Sequence, residues 1–141
     1  MSKVVTIIQA RRGSTRLPGK VLKEILGRPL LSYMIERLKG ARRIQEIVIA
    51  TPEGDPDRPI LELAAREGVA SFAGSEADVL DRYYQAARQF GADPIVRLTA
   101  DCPLIDPALV DLVGGGYLER AGQLDHFSLS GRFPDGLDTE I

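Results

Sequence analysis

The 141 residues carry 44% apolar and 27% charged side chains, with 18 basic against 20 acidic groups. That is the profile of a single globular domain that buries about 68% of its unfolded surface, and it excludes disordered and fibrous classes. No apolar run reaches the roughly 20 residues a membrane span needs, and Arg11 and Arg12 interrupt the first apolar stretch where a signal peptide needs its core, so a cytoplasmic protein with no membrane partner is expected.

Residues 4–8 are a β-branched run bounded by polar residues, which predicts a strand buried on both faces of a parallel sheet. A polar loop follows over residues 9–20. Pro29 then stands at the first position of a helix with Leu30, Leu31, Met34, Ile35 and Leu38 on one face, ended by Gly40. Residues 46–50 predict a second strand. After the turn-rich residues 51–56 comes a helix with Ile60, Leu61, Ala64 and Ala65 inward, closed by Gly68. Residues 69–72 predict a third strand, and residues 76–90 a helix with Val79, Leu80, Tyr83, Tyr84 and Ala87 inward and Gly91 at its end.

Pro94 opens a fourth strand over residues 95–99. Asp106 caps a helix with Pro107 at its first position and Leu109, Val110, Val113 and Tyr117 inward. Gly114, Gly115 and Gly116 lie inside that helix and cost roughly 2–3 kcal/mol of helix propensity, which predicts fraying or a break. Residues 126–130 predict a fifth strand, residues 133–136 a turn, and residues 137–141 the start of another strand.

Alternating strands and helices imply right-handed crossovers and a doubly wound, mostly parallel α/β sheet of Rossmann-like type, with all of residues 1–141 in one domain. In the common strand order 3-2-1-4, the loops after residues 9 and 99 open into one crevice at the topological switch point, where chemistry belongs.

One cysteine, Cys102, and one histidine, His126, rule out a disulfide framework and multi-cysteine metal sites and disfavour Ser-His and Cys-His catalysis. Carboxylates, Arg and Lys are left to carry the chemistry. Residues 1–50 hold 11 basic against 3 acidic side chains, which points to an anionic ligand. A nucleic-acid partner is disfavoured by the slight overall acidity and the 6% aromatic content.

The loop over residues 10–20 concentrates this charge: three arginines (Arg11, Arg12, Arg16), Lys20, two glycines (Gly13, Gly19) and two hydroxyls (Ser14, Thr15) directly after a buried strand. Freed backbone N–H groups, hydroxyl donors and cations suit a polyphosphate. The loop is not a P-loop, because five residues separate Gly13 from Gly19 and Val21 stands where the Mg²⁺-binding Ser or Thr belongs. An exposed, merely solvated loop is the alternative reading of the same residues.

Thr99 ends the fourth strand and Asp101 follows it, placing a carboxylate opposite the basic loop, where Mg²⁺ would take one or two carboxylates plus phosphate and water. Capping of the turn before Pro103 explains Asp101 equally well. Asp106 needs no role beyond its cap, and Cys102 reads as a small buried residue. Asp78, Asp81 and Arg82 sit at the start of a helix, where carboxylates favour the dipole, although Asp78 can also face the cleft. Asp135 and Asp138 belong to a turn whose carboxylates are suited to sugar hydroxyls.

Residues 10–22, with Gly27-Arg28-Pro29-Leu30-Leu31, then residues 74–84, 99–107 and 134–140, together resemble the cytidylyltransferase family. Within it the chain resembles the spore-coat polysaccharide biosynthesis protein F group, related to the enzymes that make CMP-3-deoxy-manno-octulosonate and CMP-sialic acid.

The resemblance implies attack by the hydroxyl of an acidic sugar on the α-phosphate of CTP, with pyrophosphate released, Mg²⁺ as cofactor and surface or spore-coat polysaccharide as the destination. It implies Arg11, Arg12, Gly13, Ser14, Arg16, Lys20 and Thr99 around the nucleotide, and Ala10 near the cytosine. Arg11, Lys20 and Asp101 would be catalytic, Asp101 also the Mg²⁺ ligand, and Asp78, Arg82, Asp135 and Asp138 weaker sugar contacts. Family members are usually longer, with a segment that closes over the sugar and often forms a homodimer contact, so the chain reads as C-terminally truncated. The alternatives are a non-catalytic nucleotide- or partner-binding copy and a related glycosyltransferase.

Overall fold

The computed structural model describes residues 2–129, 131 and 133–141. Its centre is a four-stranded parallel sheet in which β1 (Val5–Gln9) lies between β4 (Glu46–Pro52) and β6 (Ile95–Thr99), with β5 (Ala70–Gly74) outside β4. A separate two-stranded hairpin pairs β2 (Glu24–Ile25) with β3 (Arg28–Pro29). Four helices follow in chain order: α1 (Leu30–Leu38), α2 (Arg58–Arg66), α3 (Val79–Phe90) and α4 (Pro107–Leu118). Among the described residues no helix is long and apolar enough to cross a membrane.

The sheet order is the expected 3-2-1-4, and the register aligns the carboxyl ends at one edge: Gln9 lies beside Ala50 on one side and Thr99 on the other. β1 is central, so both of its faces are covered and its side chains divide by parity. Val4 and Ile8 join Ile47, Ile49, Val96 and Leu98 in a large core against α1, α2 and α4. Val5 and Ile7 join Val48, Ala50, Tyr83, Ala86 and Ala87 in a smaller one under α3.

Several local expectations are corrected. Pro29 pairs with Glu24 and occupies the cap position, so α1 begins at Leu30. The hairpin itself was not anticipated, because its tight turn is Leu26 (φ 51°) and Gly27 (φ 79°), and leucine in a left-handed position gives none of the usual Asn-Gly or Asp-Gly signal. In α2 the buried face is Ile60, Leu63 and Ala64, with Ala65 exposed and Leu61 half-buried. In α3 it is Arg82, Tyr83, Ala86 and Ala87, while Leu80 is 79% and Tyr84 54% exposed. Paired apolar residues at 79/80 and 83/84 fit two helical phases equally; contact with the sheet selects one.

α4 runs unbroken through Gly114, Gly115 and Gly116. The reason is packing: a Cβ on Gly116 would stand 2.8 Å from the Phe127 ring, so the missing side chain admits Phe127 against the helix. The expected fifth strand is reduced to isolated antiparallel bridges, Ser128 to Glu140 and Glu140 to Arg97 of β6. Ser130, the last residue of that expected strand, lies outside the described residues.

Candidate functional site

At the carboxyl edge of β1 and β6 the structure forms a cleft of about 200 Å³. Gln9 and Thr99, the aligned last residues of those strands, form its base with Ala100 and Asp101. The polar loop supplies the rest of the lining: Arg11, Ser14, Thr15, Arg16, Lys20 and Val21. One anionic and three cationic side chains thus converge where two parallel strands diverge, the place where open α/β sheets bind ligands.

The loop has a defined local fold. Gly19 adopts φ 68° and leads into a 3₁₀ turn over Lys20–Leu22, a conformation that costs a residue with a Cβ roughly 1 kcal/mol or more and that glycine takes freely. Val21 in that turn is buried in the main core, which anchors the turn while Lys20 reaches back to the cleft. Lys20 Nζ lies 2.9 Å from Asp101 Oδ2 across 81 positions of sequence. That bond, with Thr99 acting in the same sense, holds the Asp101 carboxyl below the usual carboxylate range. The Asp101 side chain stays 43% exposed, so the pair faces solvent rather than the core.

Cys102, next in sequence, is buried, and burial pushes its thiol up. It stays protonated at neutral pH and is a poor nucleophile.

Of the residues singled out in the sequence, Arg11, Ser14, Arg16, Lys20, Thr99 and Asp101 line the cleft together. Ala10 is buried beneath it, its N–H donating to the Ala50 carbonyl at 3.0 Å. Arg12 and Gly13 are not part of the lining; the Arg12 guanidinium donates instead to the Pro56 carbonyl at 3.1 Å. Asp78 caps α3, accepting from the Asp81 N–H at 2.9 Å. Arg82 is 1% exposed and donates through Nε to the Ser75 carbonyl at 2.9 Å. It lies outside the cleft lining, and burial lowers its pKa.

Asp135 is exposed in its turn. Asp138 lines a neighbouring hollow of about 310 Å³ that shares Thr99 with the cleft. Sequence reasoning missed Gln9, which lines the cleft, and Asp57, whose Oδ1 accepts from the Arg12 N–H at 2.7 Å. Gln9 was legible as the polar residue that ends an apolar strand, whereas nothing in the sequence links Asp57 to a loop 45 positions away.

A larger hollow of about 670 Å³ lies between α3 and the C-terminal residues. Its lining is mainly apolar and its one arginine, Arg97, is engaged by Glu140, which makes it unsuited to a polyphosphate; the basic cleft is the better candidate despite its smaller volume.

Among the described residues no group of three or more His, Cys, Asp or Glu is placed to hold a metal ion. Asp101 is a single hard oxygen donor opposite a basic loop, which fits Mg²⁺, since that ion takes one or two carboxylates and completes its shell with substrate phosphates and water.

Residues 5–123 match the family model described as Cytidylyltransferase. The spore coat polysaccharide biosynthesis protein SpsF of Bacillus subtilis is 38% identical over 124 residues, 85% of this chain and 52% of that protein. A solved cytidylyltransferase from Leptospira borgpetersenii superposes with a TM-score of 0.94 at 39% identity, covering 99% of this chain and 60% of that one. CMP:2-keto-3-deoxy-manno-octonic acid synthetase, solved in complex with CTP, gives a TM-score of 0.78 at 28% identity, covering 89% and 51%. The chain spans about half the length of the curated relatives it matches.

Proposed function

The chain belongs to the cytidylyltransferase family, and from that premise we propose that it transfers CMP from CTP to a hydroxyl of an acidic sugar, in the cytoplasm, for surface polysaccharide synthesis. The single observation that carries the proposal is the convergence of Arg11, Arg16 and Lys20 with Asp101 in one cleft at the switch point.

In this reading the sugar hydroxyl oxygen attacks the α-phosphorus and releases its proton to solvent, the bond from that phosphorus to the bridging oxygen of the β-phosphate breaks, and pyrophosphate leaves with the electron pair. Arg11, Arg16 and Lys20 neutralise the triphosphate, and Ser14 and Thr15 donate to its oxygens. Such transfers need positioning and charge stabilisation more than covalent help from the protein. A chain without an available thiol or a histidine pair is therefore equipped for the task. Asp101 is the residue that would hold Mg²⁺, which when bound would offset charge on the phosphates. Lys20, at 2.9 Å from Asp101, orients that carboxylate and is positioned to bond a phosphate oxygen.

The test is thermal stabilisation by CTP, UTP, ATP and GTP, each with and without Mg²⁺. A ligand at 100 times its dissociation constant adds about 2.7 kcal/mol. A selective, Mg²⁺-dependent response to CTP followed by pyrophosphate release with an acidic sugar is expected. CTP binding without turnover would favour a nucleotide-binding domain, and no response to any nucleotide would refute the proposal.

A further inference from the structure

The basic loop is polar over most of its length, so apolar burial does little to hold its shape between the end of β1 and the anchor at Val21. Its hydrogen bonds converge on one peptide. The Arg12 carbonyl accepts from the Ser14 N–H at 2.8 Å and the Gly19 N–H at 2.9 Å, which closes the loop on itself. The Arg12 N–H points the other way and donates to Asp57 Oδ1 at 2.7 Å. The Arg12 guanidinium reinforces this tie by donating to the Pro56 carbonyl at 3.1 Å. Arg12 therefore fastens the loop to the segment that precedes α2.

Asp57 is placed unusually for a residue at the start of a helix. It occupies the cap position of α2, where an aspartate side chain ordinarily accepts from its own helix, but it makes no such bond. It is 8% exposed, and among the described residues it has no ion-pair partner within 4.0 Å. A buried carboxylate is costly unless it is hydrogen-bonded, and the bond the structure records for this one goes to the Arg12 peptide.

We propose that Asp57 is a positioning residue for the triphosphate loop: it pins the Arg12 peptide so that Arg11 on one side and Ser14 to Arg16 on the other face the cleft. Arg12 is then a strut and not a phosphate ligand. The inference rests on the proposed nucleotide reaction for its functional consequence, but the clamp itself does not.

Three measurements on the full chain test it: amide hydrogen exchange of residues 11–19 without ligand, CTP affinity, and the division of any kinetic loss between KM and kcat. Asp57→Ala removes the acceptor and is expected to speed exchange in that loop at least severalfold, leave exchange in β1, β4 and β6 unchanged, and raise the KM or dissociation constant for CTP about tenfold, as loss of a hydrogen bond to a charged group does. Asp57→Asn keeps an oxygen in the same place and is expected to restore both slow exchange and affinity. Arg12→Met keeps the peptide bond and is expected to change CTP affinity less than threefold.

If Asp57→Ala fails to fold, Asp57→Glu retains the charge and displaces the oxygen by one methylene, and the same loosening is expected. Native-like exchange in the loop of the Ala or Glu variant overturns the clamp, as does an Asn variant as defective as Ala. Failure of the native chain to bind CTP would count against the nucleotide reading alone, since loop exchange is read without ligand.

Discussion

Lys20 and Asp101 stand 81 positions apart in sequence, yet the Lys20 ammonium donates to Asp101 Oδ2 at 2.9 Å across the cleft. The two reach each other because β1 and β6 are adjacent and in register at Gln9 and Thr99. The loop after the first strand then folds back over the turn after the last. The bond keeps the Asp101 carboxyl ionised to lower pH than an isolated carboxylate. A carboxylate with a depressed folded pKa contributes its stabilisation above its unfolded pKa and loses it as pH falls through the folded value.

Replacing Lys20 by Ala is expected to raise the Asp101 pKa toward the ordinary carboxylate range, measured by carbon-detected NMR titration. The same variant should bind CTP about 10- to 100-fold more weakly, the equivalent of ~1.5–3 kcal/mol for a hydrogen bond to a charged group. Unchanged affinity in both Lys20→Ala and Arg11→Ala would remove the loop from the nucleotide site.

Asp101→Asn separates a metal role from a structural one. The ion pair is substantially exposed and is worth about 1 kcal/mol at most, so the melting temperature should fall by no more than about 5 °C. Dependence of CTP binding or turnover on Mg²⁺ should disappear. A variant with a native Mg²⁺ response would return Asp101 to capping the turn before Pro103.

Tyr83 gives a pH prediction on the stability of the sheet. Its hydroxyl donates to the Leu98 carbonyl at 2.9 Å, and burial pushes its pKa up to about 12. The unfolded chain loses this proton near pH 10 and the folded chain does not, so the folded state binds more protons between those values. Stability is therefore whole below pH 10 and declines as pH rises toward 12, by roughly 2–3 kcal/mol. Denaturant melts at pH 9 and pH 11 check this, with Tyr83→Phe expected to flatten the dependence.

The glycines of α4 differ in what surrounds them. A Cβ on Gly115 would meet only the Arg43 Nε at 4.0 Å, whereas one on Gly116 would press on the Phe127 ring at 2.8 Å. Gly115→Ala should stabilise by about 0.5–1 kcal/mol through helix propensity, and Gly116→Ala should destabilise by about 1–3 kcal/mol through overpacking. Calorimetry showing the same sign for both would mean that Phe127 swings aside.

Cys102→Ser should leave activity near native, because a buried, protonated thiol serves packing rather than attack. A large loss of turnover with unchanged CTP affinity would sink that assignment.

Much of the architecture was legible from the chain. The apolar runs of β1 and β4, the Asp106-Pro107 start of α4 and the strict alternation of elements carried the sheet order, because parallel strands buried on both faces leave a continuous apolar signature. The helix faces were less legible. Leu80 and Tyr84 are as apolar as the residues that α3 buries, and amphipathic spacing does not choose between phases when neighbouring positions are both apolar. Gly116 was misread for a related reason: a propensity scale counts its cost in an isolated helix, while its benefit lies in a ring brought from eleven positions away.

By itself the sequence determined the fold class, the family and the basic loop, since these rest on local composition and motif order. Tertiary structure decided which members of that loop face the cleft. Arg11, Arg16 and Lys20 line it, while Arg12, of the same chemistry and in the same run, turns to Pro56 and Asp57. Direction within a loop depends on hydrogen-bond partners supplied by distant segments, and a carboxylate 45 positions away leaves no trace in the local pattern.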